Sequence, residues 1–184
     1  YTFEFNDFDK IKYLVETKKV KIIKMEVQRN IEPKNNFLAK VRKLSNKHNV
    51  ILIFDECTSG FRETFGGIHK KYDVDPDISI YGKALGNGYA ITAVVGIEKV
   101  MQAAQKSFIS STFWTERIGP SAALKTLEVM ERNKSWEIIT EKGRYIRNGW
   151  EQLAIKFNLQ IECSGIPALS TFKFKTQRAL EYKT

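Results

Sequence analysis

The sequence predicts an α/β protein: a mostly parallel open sheet flanked by helices, followed by the start of a smaller α+β part. Three observations predict it. Short β-branched runs alternate with stretches of helical period over residues 20–105. One run, "VILIF" at 50–54, is apolar throughout, the mark of a strand covered on both faces, as parallel strands usually are. Beyond residue 135 the alternation stops, and one long amphipathic stretch leads into a hairpin-like end. The expected division is therefore 1–134, part of a large domain, and 135–184, a connecting helix and the beginning of a small, incomplete C-terminal domain.

The elements follow in order. "YTFEF" (1–5) alternates like a short strand, and residues 7–17 place Phe8, Ile11, Leu14 and Val15 at helical spacing. Residues 20–27 are short and β-branched, a strand. Residues 32–49 predict a helix, with Pro33 suited to its start. With strand 50–54 this makes a βαβ unit. Further strands are expected at 77–82, entered through Pro76, and at 91–96, after the glycine-rich "GKALGNGY". Helices are expected at 98–105, at 119–133 with Pro120 in its first turn, and at 135–158 with a kink near Gly143. Residues 159–174 read as strand, turn, strand.

Composition narrows the function classes. The formal charge is +9, yet the lysines are scattered and no basic stripe is interleaved with aromatics, so a solvated surface is expected rather than a nucleic-acid interface. Cys57 and Cys163 are the two cysteines, with no CxxC spacing, and His48 and His69 the two histidines, so neither a disulfide framework nor a metal site is expected. No apolar run approaches the ~18 residues of a membrane span, and the first residues do not read as a signal peptide. A cytoplasmic location is the expectation. The chain begins at Tyr1 and is expected to be a piece of something longer.

The chemistry concentrates in "ILIFDECTSGFR", 51–62. A buried strand that ends on Asp55 and Glu56 is costly unless the acids are paired or used. In open α/β sheets ligands sit beyond the carboxyl ends of the strands. Asp55 lies there, and so does Lys83, after strand 77–82; opposite charges at neighbouring strand ends point to one shared site. Asp55-Glu56 could be the Walker B acids of a P-loop ATPase. Residues 1–50, however, contain no glycine, and around Gly82-Lys83 Asp77 stands where the first glycine of a phosphate loop belongs and Ala84 where its Ser or Thr belongs. A receiver-like phosphoacceptor aspartate with Lys83 as partner is a further reading, for which Glu26 alone is a poor acidic pair.

The series "LIFDECTSGFRETFGG…YDVDPDISIYGKALGNGYAITAVVG" resembles the class III aminotransferases of the fold-type I pyridoxal phosphate enzymes, and within them the glutamate-1-semialdehyde 2,1-aminomutase branch. "MEVQRNIEPKNNFLAKVRKL" upstream and "SSTFWTERIGPSAALKTLEVM" downstream extend the likeness over roughly residues 20–175. Two departures are visible: Val27 follows Glu26 where the family often has proline, and Thr115, Glu116 and Arg117 replace a Gly-Asn-Pro turn.

The resemblance implies a cofactor, pyridoxal 5'-phosphate, and roles for residues. Lys83 is the implied Schiff-base lysine and Asp55 the carboxylate on the pyridine nitrogen. Cys57 falls at a position packed against the ring. Thr112 is the implied phosphate ligand, reaching into a neighbouring subunit and so implying a homodimer, with Ser110 and Ser111 as local competitors. Glu26 and Thr58 are further candidates near the site. Glu56 is expected to be structural, bonded to nearby backbone or a basic side chain. Arg62, Tyr89, Trp114 and Arg117 are candidates for touching substrate. The implied reaction moves an amino group from a small-molecule donor to a carbonyl acceptor, or within one molecule in an aminomutase. A non-catalytic family fragment is the remaining alternative. The family's N-terminal phosphate loop and cofactor-stacking aromatic are not in the sequence.

Overall fold

The computed structural model describes residues 1–113 and 115–176. Four strands form the main sheet: β1 (Ile22–Met25), β2 (Ile51–Asp55), β3 (Ile78–Tyr81) and β4 (Ala93–Gly96), in that spatial order. β1, β2 and β3 are parallel, with Ile23 opposite Leu52 and Phe54 opposite Ser79; β4 runs antiparallel to β3. The mostly parallel sheet expected from sequence is therefore present, closed on one side by a reversed strand.

Two helices cover one face. α1 (Phe8–Glu16) starts where the Asp7 carboxylate accepts the Lys10 N–H at 2.9 Å, which caps one of the free donors of its first turn. α2 (Phe37–His48) ends at Asn49 in the left-handed conformation, a common helix stop. Ile11 and Val15 of α1, Phe37, Leu38, Val41 and Leu44 of α2, and Ile23, Met25, Leu52 and Phe54 of the sheet make one core. Each large apolar side chain so buried contributes roughly 1.5–3 kcal/mol. Arg42 ties α2 to the sheet through Asp77 at 3.1 Å, and Asp77 accepts the Leu52 N–H at 2.7 Å.

The apolar run 50–54 is covered differently from the expectation. Leu52 and Phe54 are fully buried, while Ile51, Ile53 and Asp55 on the other face are only partly so. "YTFEF" is no strand: it has no ladder partner, and its alternation reflects Phe3 and Phe5 packing on the core, Phe5 edge-on to Phe37 at 5.2 Å. The second helix begins at Phe37 rather than at Pro33, because Asn35 and Asn36 both adopt left-handed backbone.

After β4 come α3 (Glu98–Met101), continued by a 3-10 turn at Gln102–Lys106, then α4 (Ile118–Asn133) and α5 (Ser135–Lys156). The helix expected at 98–105 is thus split. α5 runs unbroken through Gly143, where a kink was expected. The glycine serves close approach instead: a β-carbon there would sit 2.1 Å from the carbonyl oxygen of Pro167. β5 (Ile161–Ser164) and β6 (Thr171–Phe174) form the expected antiparallel hairpin. Its connection is held by Arg147 of α5, which donates to the carbonyl of Gly165 at 2.7 Å and to the hydroxyl of Ser170 at 2.8 Å. Ile166 reaches back into the main core and is 1% exposed.

Candidate active site

The carboxyl ends of β1, β2 and β3 bring the candidate residues to one edge of the sheet. Glu26 follows β1, Asp55 ends β2, and Lys83 opens the 3-10 turn Lys83–Leu85 after β3. Because Asp55 is in register with Ile80, the acid and the lysine come from adjacent strands.

Asp55 has two partners: Nζ of Lys24 lies 3.0 Å from Oδ2, and the Cys57 N–H donates to Oδ1 at 3.2 Å. Burial pushes its carboxyl up. The Lys24 ammonium, the Cys57 N–H and the charge of Lys83 outweigh that and hold it below the usual carboxylate range. Lys83 donates from Nζ to Oγ1 of Thr58 at 2.7 Å. Its backbone has φ of 42°, a left-handed conformation uncommon for a residue with a β-carbon. Gly82 before it admits the Cys57 thiol: a β-carbon at Gly82 would lie 2.8 Å from Sγ. Cys57 therefore packs under the turn that carries Lys83, where a small apolar group fits.

Glu56 turns the other way. It is fully buried and accepts four hydrogen bonds: Ser59 Oγ at 2.6 Å, the Ile68 N–H at 3.1 Å, the His69 N–H at 3.0 Å and His69 Nδ1 at 2.9 Å. It clasps the loop 56–69 beneath Asp55, as the structural role expected for it required. His69 is the residue that sequence reasoning passed over; the signal available was a single histidine following a glycine pair.

A cleft of about 1180 Å³ opens beside Lys83, between the 83–89 segment, α4 and the start of α5. Arg62, Tyr89, Arg117 and Lys125 line it with Lys83. Arg62 is anchored by its Nε, which donates to the Thr58 carbonyl at 2.7 Å, and burial pulls its guanidinium pKa down. Lys125 is paired with Glu128 at 2.7 Å, whereas among the described residues Arg62 and Arg117 have no carboxylate partner. Glu116 does not supply one: its carboxylate accepts the Ile118 and Gly119 N–H groups at the start of α4. Thr112 and Ser111 are exposed and do not line this cleft; Ser111 Oγ accepts the Phe113 N–H at 3.2 Å. Glu26 lies 3.7 Å from Arg29 and makes no bond to Asp55 or Lys83. Trp114 lies outside the described residues. Among the described residues no cluster of acids, histidines and cysteines has the makings of a metal site, and no helix is long and apolar enough to cross a membrane.

Known proteins resemble this chain in sequence and in fold. The family model for aminotransferase class-III matches residues 30–179. A 3-aminobutyryl-CoA aminotransferase of Cloacimonas acidaminovorans is 38% identical over the whole chain, which covers 46% of that protein. A glutamate-1-semialdehyde 2,1-aminomutase of Methanosphaera stadtmanae is 30% identical over 98% of the chain and 45% of its own length. The chain spans about half the length of the curated relatives it matches. Among solved structures, the FumI protein of Sphingopyxis sp. MTA144, in its PLP internal aldimine form, superposes with a TM-score of 0.90 at 22% identity, over 95% of this chain and 44% of that one. Ornithine aminotransferase of Plasmodium yoelii gives 0.81 at 23%, over 94% and 48%. These likenesses show the fold, that of the fold-type I pyridoxal phosphate transferases. The P-loop and receiver readings of 51–56 fall with them.

Proposed function

The chain belongs to the aminotransferase class-III family, and from that premise we propose that it carries the reactive lysine and the ring-nitrogen carboxylate of a pyridoxal-phosphate-dependent amino-transfer enzyme. The observation that carries the proposal is the placing of Asp55 and Lys83 at the carboxyl ends of two adjacent parallel strands. The donor set fits the cofactor: a half-open carboxylate for a pyridinium, an amine for an aldehyde, and a thiol small enough to lie flat beneath Gly82. When bound, pyridoxal phosphate supplies an electron sink for a carbanion formed beside the amino nitrogen.

The chain's own residues do the rest. Lys83 would hold the cofactor through its side-chain amine and, when free, would carry the proton that leaves the substrate carbon. The Thr58 hydroxyl fixes its Nζ between these tasks. Asp55 stays ionised and keeps the pyridine nitrogen cationic. Cys57 would pack against the ring as a small apolar group. Glu56 fixes the loop behind Asp55. Thr112, exposed and away from its own cleft, suits a phosphate ligand given to a second subunit in a homodimer, with Ser111 beside it.

The substrates in this reading are a small amino donor and a carbonyl acceptor. Arg62 and Arg117 favour an anionic donor. The relatives named above offer two forms of it, an acyl-CoA amine and an amino-aldehyde acid, and two outcomes, transfer between molecules or within one. The cytoplasm, where the free thiols of Cys57 and Cys163 persist, is the proposed location.

Borohydride trapping tests the reading on the full-length protein. After incubation with pyridoxal phosphate and reduction, peptide mass spectrometry should find a phosphopyridoxyl group on Lys83. Scattered labelling of a folded protein overturns the assignment.

A further inference from the structure

Asp55 already has a cation. Lys24 stands on β1 between Ile23 and Met25, both buried, so it projects from the sheet face opposite the α1–α2 core. In register it faces Ile53, and Asp55, two residues on, shares that face. Its ammonium reaches Oδ2 of Asp55 at 3.0 Å, with the lysine side chain 57% and the acid 26% exposed. A pair this exposed adds little to stability. Its consequence falls on the carboxylate.

We infer that Lys24 acts through Asp55, as a resident counter-ion that competes with the ring nitrogen of the cofactor for its carboxylate. The inference rests on the cofactor reading above. A carboxylate offers about four lone-pair sites. Lys24 takes one on Oδ2 and the Cys57 N–H one on Oδ1, so a ring nitrogen can still be accommodated, but by an acid whose charge is already partly answered. The other charged groups nearby do not relieve this. Lys83 adds positive charge, and Glu26, the acid at the end of β1, is turned to Arg29. Among the described residues, Asp55 is the one acid that Lys24 pairs with. The bland alternative is a lysine that merely keeps a strand edge soluble.

The full-length protein and the probe pyridoxamine 5'-phosphate decide between them, since this form of the cofactor cannot bond covalently to Lys83. Lys24→Met keeps the stem and removes the charge. It should lower the dissociation constant of the probe about fivefold, the range of an exposed ion pair. Lys24→Arg should leave it as in the parent protein. In an Asp55→Asn background Lys24→Met should change nothing. An unchanged or raised constant in Lys24→Met, or the same shift without Asp55, overturns the inference. The carboxyl 13C shift of Asp55, followed against pH in the cofactor-free protein, separates this from the cofactor reading. Its midpoint rises in Lys24→Met if Lys24 holds the carboxylate, and an unmoved midpoint overturns the inference alone. Failure of every variant to bind the probe overturns the proposed function.

Discussion

Nζ of Lys83 lies 2.7 Å from Oγ1 of Thr58, so the loops that follow β2 and β3 meet at one hydrogen bond. The Thr58 carbonyl, in turn, accepts from Nε of Arg62 at 2.7 Å. One residue therefore sets both the amine and a guanidinium of the cleft. Thr58→Val keeps the shape and loses the acceptor. Turnover should fall about tenfold, the worth of a hydrogen bond to a charged group. Thr58→Ser should restore most of it, and Lys83 should still be trapped by borohydride in both. Full activity in the valine variant would remove Thr58 from the site.

Asp55→Asn tests the acid without changing its size. Turnover should drop by about a hundredfold or more, since the side chain no longer carries the charge that answers a cationic ring. The unfolding midpoint should hardly move, because the pair with Lys24 is exposed. Unchanged steady-state kinetics would take Asp55 out of the reaction.

Glu56→Ala addresses the clasp. The Ile68 and His69 N–H groups would lose their acceptor in a fully buried place. The cost should be about 3 kcal/mol in urea unfolding, from two stranded donors and an unanswered imidazole. A loss under about 1 kcal/mol would mean that water replaces the carboxylate with ease.

Two glycines of α5 make a paired experiment. A β-carbon added at Gly149 would have nothing within 4 Å, so Gly149→Ala should stabilise by about 0.5–1 kcal/mol through helix propensity. At Gly143 the same change meets the backbone of Pro167 at 2.1 Å and should destabilise by about 2 kcal/mol. Thermal melts that moved in the same direction would contradict the packing of α5 on residues 167–169.

Tyr72 governs an alkaline limit. Its hydroxyl donates to Oε1 of Gln28, and burial, reinforced by Glu32 and Glu63, pushes its pKa from 10.0 up to about 12. The folded state keeps the proton more tightly than the unfolded chain. The stability this gives is fully present below pH 10 and is lost as the pH rises through about 12. Tyr72→Phe should flatten denaturation curves over that interval; an identical slope would show that other groups carry it.

The parts of the fold that were legible in the sequence are those where one residue's neighbours are local. The helical spacing of Ile11, Leu14 and Val15 and the apolar run ending at Asp55 needed no knowledge of the partner. Asp55 and Lys83 could be brought to one site because strand ends in an open sheet share an edge. The misreadings arose where tertiary context decides. Phe3 and Phe5 alternate because they dip into a core, not because they pair with a strand. Pro33 is a good helix opener, yet left-handed Asn35 and Asn36 delay the helix to Phe37. The clasp on Glu56 was beyond reading in detail, since two of its four donors are backbone N–H groups, which carry no side-chain signature. Lys24 looked like one scattered lysine among many until the register set it across from Ile53.

Ile166 closes the main core from far along the chain, filling space between residues that come mostly from the first 74 positions. Its N–H donates to the Arg29 carbonyl at 3.2 Å. During synthesis the sheet and its two covering helices emerge well before this plug does. They must wait, incomplete on one side, while the seventy residues from 97 to 166 are added. Until the turn between β5 and β6 arrives, the apolar surface that Ile166 covers stays exposed, and such surface in a part-made chain is prone to aggregate.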